Sequence, residues 1–382
     1  MGAGRRRPRT LRGPDPAGPG GLPAAGAAAG PEGLRYAPRP PDFGFFFQHH
    51  ETYAMRLFTI SRRHLCTAAA AAGLLAAGLP TTAAAQPAYP SKPVKLVVPF
   101  PPGVSPDVIA RLWGEGFTHL TGQPVVVENR PGASTIIGAQ AVANAPADGY
   151  TLLWTVNNTF SINPYVYRKL PYKAEDFVPV TRILSVPYVL VTSVDSKYRT
   201  LQDLVREAKA RPDALTYASA GIGQGTHVAL ARWLNQAGLK MTHVPYKDQF
   251  VPDVIAGRID VALDASTGAI PQVRAGKVRA LGVTSTQRVP GLPDVPAIAE
   301  QYPGFVGDSW HGIFAPKGTP ESVQAALLAT SQKIMADPAF RAKLLDYGLT
   351  PVGEGPEAFR KFLDEDARAW AKVVRDNHIT TE

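Results

Sequence analysis

The sequence predicts an α/β protein, in which buried strands alternate with helices along most of the chain. Val94–Val98 is an almost unbroken apolar run, which is typical of a strand buried on both faces. A turn rich in proline and glycine and a helix signal follow it directly. The same strand–loop–helix order returns at residues 215–237, and strand and helix signals alternate from Gln86 onward.

The first strand–loop–helix unit spans Val94–Arg111. Pro101–Gly103 force a turn after the strand, Ser105 fits a helix N-cap, and Pro106 fits the first helical position. Asp107 falls in the first turn, where the helix dipole favours a negative charge. The free N–H groups of such a helix start are a site for an anion, such as a ligand carboxylate. An ordinary connection with nothing bound is the open alternative.

The remaining elements follow from the same patterns. Apolar runs bounded by turn residues predict strands, and apolar residues at helical spacing, such as Leu201, Leu204 and Ala208, predict helices. The further predicted strands are residues 124–128, 150–155, 184–192, 215–218, 242–246, 259–263, 278–284 and 309–315. The further predicted helices are residues 136–145, 201–210, 228–237, 251–256, one ending at Gly276, 297–301, one opening at residues 319–321, 340–347 and 356–374.

Polar residues stand at two further strand ends. Val156–Ser161 follows a predicted strand and includes Asn157 and Thr159, so it is a candidate ligand loop; a solvated connection is the alternative. The predicted strand 259–263 delivers Asp264 to its carboxyl end.

Ser219–His227 forms a second glycine-rich loop before a helix. Gly221, Gly223 and Gly225 would let the backbone approach a ligand closely, and Thr226 fits a helix cap. The loop lacks the Gly-Lys-Ser/Thr ending of a phosphate loop, and its glycine spacing differs from the dinucleotide fingerprint. These departures argue against a nucleotide site.

Length, charge and cysteine content limit the functional classes. The 382 residues allow two or three domains. Residues 1–85 carry 10 of the 40 basic and 4 of the 31 acidic residues, which leaves 30 against 27 in the rest of the chain. A nearly balanced body without a basic run argues against nucleic acid as a partner. Cys66 is the single cysteine and falls in a segment that we expect to be removed, so the mature chain would have neither a disulfide nor thiolate chemistry.

The amino-terminal part has the composition of a leader followed by an export signal. Residues 1–54 are rich in Gly, Pro, Ala and Arg without apolar periodicity, so we expect them to be disordered or untranslated, with the true start at Met55. Residues 55–85 combine a basic start, an apolar stretch and small residues at Ala83 and Ala85, which predicts cleavage before Gln86. The Arg62–Arg63 pair leaves a twin-arginine signal and a general secretory signal both open.

The mature region carries no recognisable catalytic signature. It has no GxSxG elbow, and no metal-ligand spacing joins the histidines His119, His227, His243, His311 and His378. Asp107 and Asp264 could form an acid pair and His227 could act as a base, but helix-terminus, turn and loop hydrogen bonding explain all three equally well. Trp154 and Trp310 fit packing or ligand stacking. We therefore expect no enzyme, no metal and no cofactor.

Several longer motifs carry a family resemblance. They include YPSKP at residues 89–93, VPFPPGVSPDVIAR at 98–111, VVVENRPGA, ADGYTLL, YASAGIGQGTH, HVPYK, GRIDVALD and SWHGIFAPKGTP. Together they cover nearly all of residues 89–379, and the chain resembles the Bug family, the periplasmic receptors of tripartite tricarboxylate transporters.

The resemblance implies the type II periplasmic-binding-protein fold, with a ligand cleft between two α/β domains. It implies one domain at residues 86–186 plus 308–382 and the other at 187–307. The two glycine loops would then face each other and hold a ligand carboxylate through backbone N–H groups, hydroxyls and bridging waters. The expected ligand-binding residues are Phe100, Pro102, Gly103, Val104, Ser105, Asp107, Asn157, Thr159, Ser219, Gly221, Gly223, Gln224, Gly225, Thr226, His227 and Asp264.

The sequence departs from the family pattern at three places. Val104 stands where the family has a second glycine, and Gln224 reduces the number of hydroxyls in the second loop. Asp248 replaces the glycine that follows HVPYK, and with Asp264 it would repel a second ligand carboxylate. We therefore predict a monocarboxylate, an amide or a ligand with a neutral tail rather than a tricarboxylate.

The resemblance implies a function in solute capture. We expect a monomeric periplasmic receptor that delivers a small carboxylate to the membrane permease subunits of a tripartite tricarboxylate transporter. Two alternatives stay open: a ligand-sensing partner of a sensor-kinase ectodomain, and a periplasmic enzyme.

Overall fold

The computed structural model describes residues 89–247 and 249–381. The predicted leader, the export signal with Cys66, and Asp248 lie outside the described residues. Within these ranges no helix is both long enough and apolar enough to span a bilayer.

Strands and helices alternate over the described chain. The strands are β1 Val94–Val98, β2 Val125–Asn129, β3 Thr151–Val156, β4 Phe177–Val186, β5 Tyr188–Ser193, β6 Thr216–Ser219, β7 Thr242–Pro245, β8 Val261–Ala265, β9 Val278–Val283, β10 Ser309–Pro316 and β11 Thr350–Glu354. The α-helices are α1 Ser105–Thr121, α2 Ile136–Ala143, α3 Asn163–Val166, α4 Leu201–Ala210, α5 Gly225–Ala237, α6 Val251–Ile255, α7 Ser266–Arg274, α8 Glu321–Ala336, α9 Pro338–Asp346 and α10 Pro356–Asp376. Short 3₁₀ helices lie at Ala174–Asp176 and Ile298–Glu300, and a π-helix at Asn158–Ile162.

The first sheet has six strands in the order β11-β4-β10-β3-β1-β2. Its half made of β2, β1 and β3 is parallel, with Leu96 opposite both Val127 and Leu152. β10, β4 and β11 join it as antiparallel neighbours. The parallel half therefore points the carboxyl ends of β1 and β3 to one edge, where the loops before α1 and α3 begin.

The second sheet has five strands in the order β7-β6-β8-β5-β9. β6 is parallel to β7 and β8, so Tyr217 stands opposite His243 and Val261. β5 runs antiparallel between β8 and β9. The carboxyl end of β6 leads into the second glycine loop and α5.

The chain crosses between the two sheets twice. It leaves the first sheet at Pro187, between β4 and β5, and returns at Asp308, before β10. Thr284 ties the crossings together, because its hydroxyl accepts the Tyr188 amide at 2.8 Å and donates to Asp308 Oδ1 at 2.7 Å. The strands of each sheet fall within the residue ranges expected for the two domains, whose boundaries stay a prediction.

Apolar side chains fill both faces of each sheet. Trp113 and Trp154 lie in a cluster under the first sheet, and Trp233 lies in a cluster of the second. The carboxyl-terminal helix α10 joins these regions, because Phe359 packs against the first sheet and Trp370 belongs to the cluster of the second. Burial of such large aromatic side chains contributes strongly to the stability of both halves.

Two sequence-based expectations about elements are wrong. The predicted single strand 184–192 is two strands, because Pro187 cannot donate to a ladder and stands at the crossing. The segment after β3 is not a solvated connection: residues 157–159 and 161–163 are buried, and Asn158–Ile162 form a π-helix packed against α10. The edge strand β11 was not predicted, because Pro351 and Gly353 are residues that strand patterns usually exclude.

Candidate functional site

The first loop, residues 99–104, connects β1 to α1. Helix α1 begins at Ser105, and its N-cap is Val104 with φ −86° and ψ 165°, so the predicted cap at Ser105 is displaced by one residue. The Ser105 hydroxyl is buried and has no hydrogen-bond partner among the described residues.

The Asp107 side chain organises this loop. Asp107 Oδ2 accepts the Gly103 amide at 2.8 Å, and Oδ1 accepts the Asn129 side-chain amide at 2.8 Å and pairs with Arg111 at 2.9 Å. Burial opposes ionisation, but these donors outweigh it and hold the pKa of the Asp107 carboxyl below its ordinary value. Asp107 and the Gly103 amide thus have each other as partners, and the expectation that they bind the ligand stays a prediction.

The other residues of the first loop make fewer hydrogen bonds within the protein. Pro102 is exposed, and Phe100 is half-buried with its carbonyl accepting from Asn129 at 3.0 Å. The amides of Val104 and Ser105 have no acceptor among the described residues. These two N–H groups are the donors that the first loop leaves available.

The second loop, residues 220–224, connects β6 to α5. Helix α5 begins at Gly225 with Gln224 as its N-cap, so Thr226 is not the cap. Instead, the Thr226 hydroxyl accepts the Ala220 amide at 3.1 Å, inside the loop.

The amides of Gly221 and Gly223 in the second loop also donate hydrogen bonds to side chains. The Gly221 amide donates to Ser219 Oγ at 3.2 Å, and the Gly223 amide donates to His227 Nδ1 at 3.1 Å. Ser219, Gly221, Gly223 and His227 were expected to contact the ligand, but these contacts make them the internal frame of the loop. His227 accordingly fits the loop-bonding alternative and not the catalytic base.

The first turn of α5 carries the free donors at this side. The amides of Gly225, Thr226 and His227 have no acceptor among the described residues, although all three residues are buried. Buried N–H groups without a partner are rare in folded proteins, and a helix start adds the positive end of its dipole. The arrangement favours an anion at this place.

Gly225 comes very close to a crossing strand and to the segment after β3. A Cβ at residue 225 would lie 2.4 Å from the Tyr188 hydroxyl and 3.5 Å from Oδ1 of both Asn157 and Asn158. Asn157 Oδ1 accepts from the Ser309 hydroxyl at 2.8 Å, whereas its Nδ2 is buried without a partner among the described residues. Asn157 thus presents a spare donor next to the start of α5.

Asn158, which sequence reasoning missed, links the two halves. Its Nδ2 lies 3.2 Å from the Gly223 carbonyl, from Gln224 Oε1 and from the Ser134 hydroxyl. Thr159, by contrast, is a structural residue, because its hydroxyl lies 2.8 Å from Thr135 Oγ1 and 2.5 Å from Thr155 Oγ1. Its expected role in ligand binding stays a prediction.

A strained turn before α2 lies beside Asn158. Ala133, Ser134 and Thr135 have φ values of 44°, 51° and 78°, the left-handed region that non-glycine residues avoid. Three such residues in a row cost conformational energy, and strain of this kind concentrates at functional sites. A run of ordinary residues gives no sequence signal for it.

Two carboxyl groups and a hydroxyl complete the site on the second-sheet side. Enclosure by protein raises the pKa of Asp264 to about 6 and that of Asp308 to about 7, because the charged form loses hydration. Burial raises the pKa of the Tyr188 phenol above its ordinary value, and the charges of Asp308 and Asp264 add to this rise. The Ser266 hydroxyl, two residues beyond Asp264, is buried without a partner among the described residues.

Comparison with known proteins identifies the family. Residues 109–379 match the family model TctC, described as "Tripartite tricarboxylate transporter family receptor". The chain belongs to this receptor family.

Individual relatives agree with the assignment. This receptor is 41% identical over 293 residues to a UPF0065 protein in the tcbD-tcbE intergenic region of Pseudomonas sp. strain P51, covering 75% of this chain and 87% of the relative. The structure of R. palustris Rpa4515 with adipate matches with a TM-score of 0.72 at 33% identity, over 76% of this chain and 99% of that one. Periplasmic binding protein BugD matches with a TM-score of 0.70 at 33% identity, over 77% and 100%.

The comparisons confirm the fold and the general class. The receptor has the two-sheet α/β fold of periplasmic binding proteins, and its homologues are solute-binding receptors and not enzymes. Trp154 and Trp310 are core residues at 0% and 1% exposure, so they pack and do not stack on a ligand. No group of three or more His, Cys, Asp or Glu side chains suited to a metal is found in the described ranges.

Proposed function

We propose that this receptor captures a small carboxylate between its two sheets and delivers it to the permease subunits of a tripartite tricarboxylate transporter. The observation that carries the proposal is the set of unpartnered amides at the start of α5. Gly225, Thr226 and His227 are buried, lack acceptors among the described residues, and lie at the positive end of a helix. A ligand carboxylate supplies the acceptors and the negative charge that this arrangement lacks.

Neighbouring donors would complete the carboxylate site. Asn157 Nδ2 is buried without a partner and adjoins Gly225, and the free amides of Val104 and Ser105 belong to the opposite loop. Charge-assisted hydrogen bonds to a carboxylate are shorter and stronger than neutral ones. Asn158, already within 3.2 Å of Gly223 and Gln224, would hold the two halves together in the closed form.

The acidic groups would select the other end of the ligand. Asp264 and Asp308 disfavour a second ligand carboxylate when they are ionised. We therefore propose a monocarboxylate, an amide or a ligand with a neutral tail. The R. palustris relative was solved with adipate, a dicarboxylate, so adipate is an informative probe of this preference.

The proposal places the receptor in the periplasm as a monomer. Export would depend on the signal at residues 55–85, with the mature chain beginning at Gln86. Sequencing the amino terminus of the secreted protein tests this; a mature chain that begins upstream of Met55 contradicts it.

A ligand screen tests the proposed function. Thermal unfolding of the purified protein would be followed with benzoate, adipate, malate and citrate, because a ligand that binds the folded state raises the melting temperature. We expect at least one carboxylate to stabilise the protein in a concentration-dependent way, with citrate the weakest. Stabilisation by no carboxylate would contradict the proposal, and tightest binding of citrate would contradict the preference for a single carboxylate.

A further inference from the structure

We propose that His227 and His243 are positioning residues, which together hold the second loop in its ligand-binding shape only while the His227 ring is neutral. The two residues are called the histidine pair below. Its link to ligand affinity rests on the proposed function; its link to the loop does not.

The first contact of the histidine pair is direct. His227 lies in the first turn of α5, and its Nδ1 accepts the Gly223 amide at 3.1 Å. The ring therefore reaches back into the loop that precedes its own helix. Gly223 has φ +73°, so this amide is fixed in a conformation that favours glycine.

The second contact runs through a serine. His243 Nε2 lies 2.6 Å from Ser219 Oγ, and the same oxygen accepts the Gly221 amide at 3.2 Å. His243 is on β7 and Ser219 on β6, so this contact joins the loop to its sheet. The pair thus restrains both glycine amides, one directly and one through Ser219.

Stacking of the two imidazole rings couples the contact at Gly223 to the contact at Ser219. The imidazole rings of His227 and His243 are parallel within 7°, with centroids 3.8 Å apart, and Tyr217 stacks on His243 at 4.8 Å. Movement of either ring disturbs the other, because the faces are in contact. The frame of the second loop therefore depends on this stack as a whole.

The contact with Gly223 requires a neutral His227 ring. A protonated His227 has no lone pair on Nδ1, so two N–H donors would face each other at Gly223. Two imidazolium rings at this separation would also repel each other. Burial lowers the pKa of His227 to about 3, with a contribution from His243, and that of His243 to about 4, which keeps both neutral near pH 7.

The titratable groups Tyr217, Asp264 and Asp308 change charge at other pH values than the two histidines of the pair do. The Tyr217 phenol, raised to a pKa of about 12 by burial, stays neutral throughout the acidic range. Asp213 and Lys240 line, together with Tyr217, a cavity of about 400 Å³. Asp264 and Asp308, beside Tyr188, titrate at about 6 and 7, above the histidines.

Amide exchange tests the frame without any ligand. Protection of the Gly221 and Gly223 amides would be measured in the native protein, in His227→Ala, and in His227→Asn, whose side-chain oxygen can replace Nδ1. We expect His227→Ala to lower the protection of Gly223 about three- to tenfold, the loss of roughly one hydrogen bond. His227→Asn should retain most of it, and the Gly103 amide, bound to Asp107, should not change. Unchanged Gly223 protection in His227→Ala overturns the proposal.

The pH profile tests the requirement for neutrality. Between pH 6 and pH 3, a window that reaches the pKa of His227 of about 3, we expect Gly223 protection to fall in the native protein but not in His227→Asn. Adipate and benzoate affinities, measured by calorimetry, should fall by the same factor relative to His227→Asn, since each probe protonates equally with both proteins. The proposal is overturned if Gly223 protection depends on pH in the same way in the native protein and in His227→Asn. The proposed function is contradicted if none of benzoate, adipate, malate and citrate binds the native protein, whereas amide exchange decides the role of the histidine pair without any ligand.

Discussion

Asp107 was a candidate member of an acid pair and His227 a candidate base, and in the structure the side chain of each accepts a hydrogen bond from the loop before its helix. Each side chain accepts the amide of a loop glycine four residues earlier, Gly103 and Gly223 respectively. The spacing of Asp107 and Arg111 is readable from the sequence, because residues i and i+4 meet on a helix. The Asn129 contact, 22 residues away, is not, since it depends on how β2 pairs with β1.

Replacing Asp107 tests its structural role. Asp107→Ala removes the acceptor of the Gly103 amide and one hydrogen-bond partner from each of Arg111 and Asn129, which keep the contact with each other. We expect a loss of about 1–3 kcal/mol in the free energy of unfolding, as for a broken buried network. Urea denaturation measures it. The control, Asp346→Ala, breaks an exposed pair with Arg274 and should cost under about 1 kcal/mol, so equal losses would contradict the assignment.

Asp264 is expected to set specificity. Asp264→Asn removes a carboxyl whose pKa burial has raised to about 6, so its negative charge at neutral pH disappears while its shape remains. Affinity for adipate should rise severalfold at pH 8, whereas affinity for benzoate should change little. Calorimetry with both ligands measures the ratio; an equal change for the two would show that Asp264 does not face the distal end of the ligand.

At the scale of elements, the sequence predicted both helices that follow the loops, but it misplaced their caps and placed the start of α5 at residue 228 instead of Gly225. Ser105 and Thr226 have good capping side chains, yet Val104 and Gln224 hold the N-cap positions. The reason lies in side-chain contacts within each loop: Asp107 and His227 restrain the preceding loops, and the Thr226 hydroxyl accepts the Ala220 amide. Local propensity cannot register such competition, although it places α4 at its observed bounds, where Thr200 and Asp203 form a local capping box.

The start of α5 allows a steric test. Gly225→Ala places a methyl group 2.4 Å from the Tyr188 hydroxyl, where neither the helix nor the crossing strand can easily move. We expect a clear loss of stability and of carboxylate binding. The double variant with Tyr188→Phe should recover part of the stability because it removes the obstructing oxygen.

Gly355 provides the matched control for this test. It precedes the first turn of α10 at φ −78°, and an added Cβ would meet only Leu328 at 3.6 Å, an ordinary contact. Gly355→Ala should leave binding intact. Similar losses for Gly225→Ala and Gly355→Ala, or no recovery in the double variant, would show that the close approach to Tyr188 is not the cause.

At the scale of the whole molecule, the two-domain interpretation came from family resemblance and not from periodicity. Alternating strand and helix signals predicted α/β architecture, and the observed strands confirm it. They could not show that residues 177–193 divide at Pro187 between two sheets, because both halves are equally apolar. Nor could they show that the Thr284 hydroxyl joins Tyr188 to Asp308. Tyr188 lies 96 residues before Thr284 and Asp308 lies 24 residues after it, so neither contact leaves a local pattern.

Asp308 makes stability depend on pH through this crossing. Burial raises its folded-state pKa from 3.8 to about 7, so its contribution is fully present below pH 3.8 and is lost as the pH rises through 7. Asp308→Asn removes this dependence while retaining an oxygen for Thr284. We expect the variant to gain stability relative to the native protein between pH 5 and pH 8, measured by urea denaturation. A difference that is constant over this range would contradict the assignment.

The central claim is that a small carboxylate binds at the unpartnered amides that open α5. Titration of the ¹⁵N-labelled protein with the best carboxylate from the thermal screen measures this site directly. We predict that the amide resonances of Gly225, Thr226 and His227 shift together and saturate, while those at the start of α10 stay in place. Saturable binding of the same carboxylate that leaves these three amides unmoved would contradict the account.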